Sequence, residues 1–255
     1  MRYVPALDGL RALAVMLVFL YHRHRLPGGW VGVDIFFVLS GYLITSILIT
    51  EQETTGVISL SRFYMRRACR LLPALVIVVC VAVAISVCFH YQRRDTAIDA
   101  AAALLYVADY RYALMDHQGT VLGHTWSLSI EEQFYFLWPL LLVVLLTKRS
   151  PRVALIVTLG LIFVVAVWRV FLVATRSQPF SRVYFAFDTR VDELLIGCAL
   201  AIWRTRVTVV SRFLRRLWPA VVLFLAAVVL KESPSHRLIL VVYLYLVLPS
   251  PISLS

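Results

Sequence analysis

Asp8, Arg11 and His22 place three ionisable side chains in a stretch that otherwise reads as a membrane-spanning helix, with Ala12 to Tyr21 almost wholly apolar. Arg11 and His22 stand eleven positions apart, about three turns, so they share one helix face roughly 16 Å apart along the axis. Histidine titrates ordinarily near neutrality, which suits it to proton transfer. Ionisable groups at membrane depth are costly and usually face a protein interior or a water-filled cavity. The plainer alternative is two interfacial residues snorkelling at opposite ends of a span.

Two further strings carry polar groups at the openings of apolar runs. Gly28 to Tyr42 holds glycines, Asp34 and Ser40. Gly32, Ser40 and Gly41 are read as packing residues that let helices approach closely, whereas Asp34 needs a partner, with His22 or an arginine as the natural candidate. Trp126-Ser127-Leu128-Ser129-Ile130-Glu131-Glu132-Gln133-Phe134-Tyr135 is the most specific string in the chain. Ser127 or Ser129 as a cap, with a glutamate in the first turn, accounts for one carboxylate. It does not account for two followed by a glutamine. Adjacent residues project about 100° apart, so one glutamate is expected to face a site. Glu131 is assigned that role, with Glu132 as the cap or outward-facing group.

Arg62, Arg66 and Arg70 recur at four-residue spacing on one face. An anchor lying on anionic lipid and a phosphate-binding surface both fit that pattern. Asp188, Arg190, Asp192 and Glu193 form a last polar cluster. Arg169, within an apolar run, is expected to pair with a buried acid or to snorkel.

The elements that must position these groups follow from composition. The 255 residues are 61 % hydrophobic and 15 % charged, with mean hydropathy +0.85, against about 25 % charged in soluble domains. This is an all-α, polytopic membrane bundle. The net charge of +11 does not indicate nucleic acid, because the arginines sit at the ends of apolar runs, as on the inner face of a membrane. The first apolar run starts almost at Met1 and leads into polar features rather than a small-residue cleavage site, so it is read as a span and not a signal. Cys69, Cys80, Cys88 and Cys198 follow no metal-ligand spacing and imply neither disulfides nor a zinc site.

Runs long enough to cross a bilayer fall near 6–22, 31–50, 71–89, 127–146, 153–174, 184–203, 217–231 and 237–249. The stretch 97–115 is weaker and contains Asp99, Asp109 and Arg111. With the N-terminus cytoplasmic and 97–115 not crossing, 13 lysines and arginines lie inside and 8 outside; if it crosses, the counts become 9 and 12. The positive-inside rule therefore favours eight spans plus a re-entrant or surface-lying segment. His22, Asp34, Trp126 to Glu132 and Asp188 to Glu193 then share the outer level, with Arg11 and Arg62 to Arg70 in the inner half.

Taken together these strings resemble the acyltransferase 3 family of integral membrane proteins, which acylate bacterial cell-surface carbohydrates. The resemblance rests on Leu7-Asp8-Gly9-Leu10-Arg11 with His22, Gly32 to Tyr42, Arg66-Arg67 with Arg70 and Pro73, His124 to Glu131, and Arg190-Val191-Asp192-Glu193-Leu194-Leu195-Ile196-Gly197, in order from residue 3 to about 203. It implies transfer of an acyl group, commonly acetyl, from an acyl-coenzyme A donor to a sugar hydroxyl, in the cytoplasmic (inner) membrane of a bacterium, with no bound cofactor. His22 would be general base or acyl carrier, oriented by Glu131 or Asp34. Arg11 would hold a phosphate or the thioester region of the donor, with Arg66 and Arg70 at the nucleotide end. Asp8, Trp126, Ser129, Arg190 and Asp192 would support the site. Implied partners are membrane lipid, the carbohydrate acceptor and an extracytoplasmic domain or protein.

Members of that family share about ten spans, so residues 1–255 are expected to be one transmembrane domain, truncated or divergent after about 235. Two other classes remain open. A transporter or flippase of a lipid-linked or anionic substrate also uses intramembrane arginine, histidine and acids, though the halves show no convincing repeat. An inactive truncated paralogue or non-catalytic membrane subunit is the third reading.

Overall fold

The computed structural model describes residues 5–114, 120–148, 150–175 and 179–204, and among them all regular structure is helical. The helices are α1 (Pro5–His22), α2 (Val31–Thr55), α3 (Leu60–Cys88), α4 (Arg93–Leu104), α5 (Ala108–Leu114), α6 (Thr125–Lys148), α7 (Pro151–Ala174), α8 (Phe180–Phe185) and α9 (Phe187–Arg204), with a 3-10 turn at Pro27–Trp30 leading into α2. Among the described residues, four stretches are long and apolar enough to cross a membrane: Pro27–Thr55, Leu60–Cys88, Thr125–Thr147 and Pro151–Ala174. The expected first and sixth spans form α1 and α9, of 18 residues each. The expected spans at 217–231 and 237–249, the divergence after about 235 and all but the first residue of the basic run Arg204 to Arg216 lie outside the described residues.

The described residues cluster into two compact units, 5–50, 150–160 and 193–204 in the first, and 51–114, 120–148, 161–175 and 179–192 in the second. In the first, α1 packs on the 3-10 turn and α2 through Leu7, Ala14, Val31, Ile35 and Leu39. The backbones come so close that a Cβ on Gly29 or Gly32 would strike the carbonyl oxygen of Leu17 or Ala14. Helices α2 and α9 interlock reciprocally, with Gly41 against the Leu194 carbonyl and Gly197 against the Val38 carbonyl. The glycines of the Gly28 to Tyr42 string thus serve close helix packing.

In the second unit, α3 and α4 share a core of Leu75, Val79, Ala82, Ala100, Ala103 and Leu122. The stretch 97–115 breaks into α4 and α5 around Tyr106, whose φ is +54°. Twelve residues of α4 rise about 18 Å and the seven of α5 less, short of the ~30 Å hydrocarbon core. Polar residues hold the pair together: Asp99 is buried and accepts from Arg111 Nε, from Tyr112 at 3.1 Å and from Thr120 Oγ1 at 2.7 Å. Arg62 to Arg70 form no separate amphipathic piece. They are the opening turns of α3, which runs on unbroken past Pro73 to Cys88.

Candidate active site

In the first unit His22 is the last residue of α1, and its ring is exposed. Nδ1 lies 2.8 Å from the Val18 carbonyl oxygen one turn back. A carbonyl can only accept, so in the neutral ring this bond puts the proton on Nδ1 and leaves the lone pair on Nε2. This carbonyl orients the ring from within its own helix. Asp8 and Arg11 form a loose ion pair at 3.9 Å on the same helix, both substantially exposed. Asp34 is buried in the first turn of α2, where the helix dipole favours a negative charge.

The second unit gathers its polar groups on α6. Its first turn begins at Thr125, so Ser127 and Ser129 do not cap it. The Ser129 hydroxyl instead donates to the Thr125 carbonyl at 3.1 Å and accepts the Ala108 N–H at 3.2 Å, capping the opening of α5. Gln133, one turn on, donates to the Tyr106 carbonyl at 2.7 Å and to Asp109 Oδ1 at 2.8 Å. Residues 129 and 133 thus form the face of α6 that grips α5.

Glu131 is buried. Glu132, expected to cap or face outward, accepts from Arg67 Nη2 at 2.9 Å. The Arg67 guanidinium also lies 3.4 Å over the ring of Tyr135, a stacked cation on the next turn of α6. Arg66 and Arg70, assigned to the donor from four-residue spacing, are exposed, as is Arg62. The arginine directed at α6 is Arg67, because it shares a face of α3 with the buried Phe63. Nothing in the arginine spacing marks that face; the Phe63–Arg67 interval does.

Trp126 is buried against Tyr184 and Phe185. Arg190 is buried with its guanidinium 5.0 Å from the Tyr184 ring centroid. Asp192 is fully buried and accepts from Arg169 Nη2 at 2.5 Å, while Arg169 Nη1 donates to the Thr189 carbonyl at 3.1 Å. Arg169 therefore has the buried acid its position requires, and Asp192 serves as that counter-ion. Asp109 is a further buried acid that the sequence reading left without a role. Burial pushes its carboxyl up to about 6, against the opposing hydrogen bond from Gln133.

These helices and motif residues define a class, the helical acyltransferase domain. A family model described as an acyltransferase domain matches residues 4–248, and the chain belongs to this acyltransferase 3 family. Among curated proteins it is 44 % identical over 214 residues to the peptidoglycan O-acetyltransferase OatA of Listeria monocytogenes, covering 79 % of this chain and 34 % of that protein. It is 42 % identical over 212 residues to the O-acetyltransferase OatA of Staphylococcus aureus, covering 79 % and 35 %. The chain thus spans about a third of the length of these relatives. No solved structure matches it.

Proposed function

We propose that this chain is the membrane domain of an O-acetyltransferase that moves an acetyl group from acetyl-coenzyme A to a hydroxyl of a cell-wall glycan of the peptidoglycan type. The observation that carries the reading is that the motif residues of the family fall on folded, polar surfaces: an exposed imidazole on α1, and a buried glutamate beside an Arg67–Glu132 pair on α6. The peptidoglycan acceptor comes from the relatives' activity.

Sugar hydroxyls are weak nucleophiles, so the reaction needs a base and stabilisation of the developing oxyanion. Nε2 of His22 takes the hydroxyl proton as the oxygen attacks the thioester carbonyl. The C–O bond forms, the C–S bond breaks, and the thiolate leaves to be protonated. Asp34, in the same unit as His22, supplies negative charge that favours the imidazolium. Arg11, roughly 16 Å from His22 along α1, holds a phosphate of the donor, and the exposed Arg66 and Arg70 engage its nucleotide end. The protein resides in a bacterial inner membrane, N-terminus cytoplasmic, with the acceptor outside.

Purified protein in vesicles supplied with acetyl-labelled coenzyme A tests this. Release of free thiol together with label on an added glycan supports it. Movement of intact label without thiol release indicates a transporter, and neither event indicates a non-catalytic subunit.

A further inference from the structure

Beside α8 the second unit carries a cluster that the proposed chemistry does not use. Phe180 is 56 % exposed, and its ring stacks on Tyr184 with centroids 5.5 Å apart and planes 25° apart. Tyr184 in turn meets Trp126, the buried opening residue of α6, at 5.4 Å. The rings therefore form a continuous path from solvent to the helix that bears Glu131. Two residues beyond Phe180, Arg182 forks onto Asp188 at 2.8 and 2.7 Å, and the Trp168 indole N–H donates to the same carboxylate at 2.8 Å. The Asp188 side chain remains 35 % exposed.

The chemistry of this cluster selects its ligand. The Arg182 charge balances Asp188, so the patch attracts neither anions nor cations. The carboxylate is part exposed, so a hydroxyl can reach its oxygens and share them with the donors already present. An exposed ring braced from behind by a second, beside an oriented hydrogen-bond acceptor, fits a pyranose, which offers an apolar C–H face and a polar hydroxyl rim. Aromatic residues at a membrane boundary commonly anchor singly in the headgroup layer, with their own polar tips wet. Here the Trp168 tip is tied to Asp188. The charge-derived topology places the connection between α7 and α9 outside, where a glycan would approach.

We propose that α8 and the opening of α9 form an acceptor platform, with Phe180, backed by Tyr184, stacking on a neutral pyranose ring and Asp188 accepting its hydroxyls. This rests on the reading of the chain as a glycan acetyltransferase. The test is binding of N-acetylglucosamine tetrasaccharide to the full-length protein in nanodiscs, followed by ligand NMR, for the wild type, Phe180→Ala, Phe180→Trp and Asp188→Asn. Expected are about tenfold weaker binding for Phe180→Ala, recovery in Phe180→Trp and weaker binding for Asp188→Asn. Wild-type affinity in Phe180→Ala, or lowered membrane abundance of that variant with affinity unchanged, overturns the platform in favour of a lipid-interface anchor; so does absence of binding by the wild type. Thiol release from acetyl-coenzyme A, measured on the same wild-type sample, separates the two ideas. Glycan binding through Phe180 without thiol release retains the platform and removes the transferase reading. Transfer whose acceptor KM ignores Phe180 does the reverse.

Discussion

Arg67 on α3 and Glu132 on α6 meet at 2.9 Å, and the same guanidinium covers the ring of Tyr135 one turn further along α6. Both partners are largely shielded, at 26 % and 16 % side-chain exposure. An ion pair in this setting loses little to solvent screening, and removing one partner strands the other. Glu132→Gln and Arg67→Met should each destabilise the protein and lower transfer. A double-mutant cycle on thermal stability in detergent should give a coupling of about 1–2 kcal/mol. Additive effects would show that the two side chains do not act as a pair.

Asp109 gives the fold a pH dependence. Its carboxyl stands at about 6 in the folded protein against 3.8 ordinarily. The folded chain therefore keeps a proton that the unfolded chain has already lost. Stability falls as pH rises from about 4 to 6 and is level above that, a change of roughly 3 kcal/mol. Asp109→Asn keeps an acceptor for Gln133 but cannot ionise, so its melting temperature should be flatter across this window and higher than wild type at pH 7. Parallel melting curves for the two proteins between pH 4 and 7 would refute this.

Gly41 and Gly9 differ in what surrounds them. A methyl at Gly41 falls on the Leu194 carbonyl, a backbone atom that cannot swing away, while nothing lies within 4 Å of the corresponding point at Gly9. Gly41→Ala should cost about 2 kcal/mol by forcing α2 and α9 apart. Gly9→Ala should change stability by less than ~1 kcal/mol, in the favourable direction, because alanine is the better helix former. Thermal melting of the two variants side by side checks the contrast.

The pair of Arg169 and Asp192 is wholly buried. Asp192→Asn leaves a guanidinium without its counter-charge and should destabilise by about 3–5 kcal/mol. The double variant Arg169→Met with Asp192→Leu should recover most of that loss, as read from melting temperature and folded yield in the membrane. Recovery of fold with loss of transfer would assign Asp192 a chemical duty in addition to its structural one.

The helical class, the motif strings and the need of Arg169 for an acid were legible because each follows from local chemistry: apolar run length, polar residues at run ends, and the cost of a lone buried charge. The break of 97–115 into two short helices was half legible. Its acids and Arg111 argued against crossing, but the turn at Tyr106 has no glycine or proline to announce it. Side-chain rotation was what the sequence concealed. Spacing groups Arg62, Arg66 and Arg70 on one face without saying that the face is exposed, and it cannot show that Arg67 follows Phe63 inward. Likewise, two adjacent glutamates suggest one inside and one outside only if a single side of α6 is covered. Here Glu131 is buried and Arg67 of α3 reaches Glu132, so neither carboxylate simply faces outward.

The central claim is that the Nε2 lone pair of His22 accepts the hydroxyl proton. Its ring is exposed and bonded only within its own turn among the described residues, so removing it should leave the fold within about 0.5 kcal/mol of wild type. The direct measurement is acetyl transfer from labelled acetyl-coenzyme A to a glycan by His22→Ala protein in vesicles, with its melting temperature as control. Transfer lowered by at least about a hundredfold, with melting unchanged, is the predicted result. Transfer at the wild-type rate would contradict it.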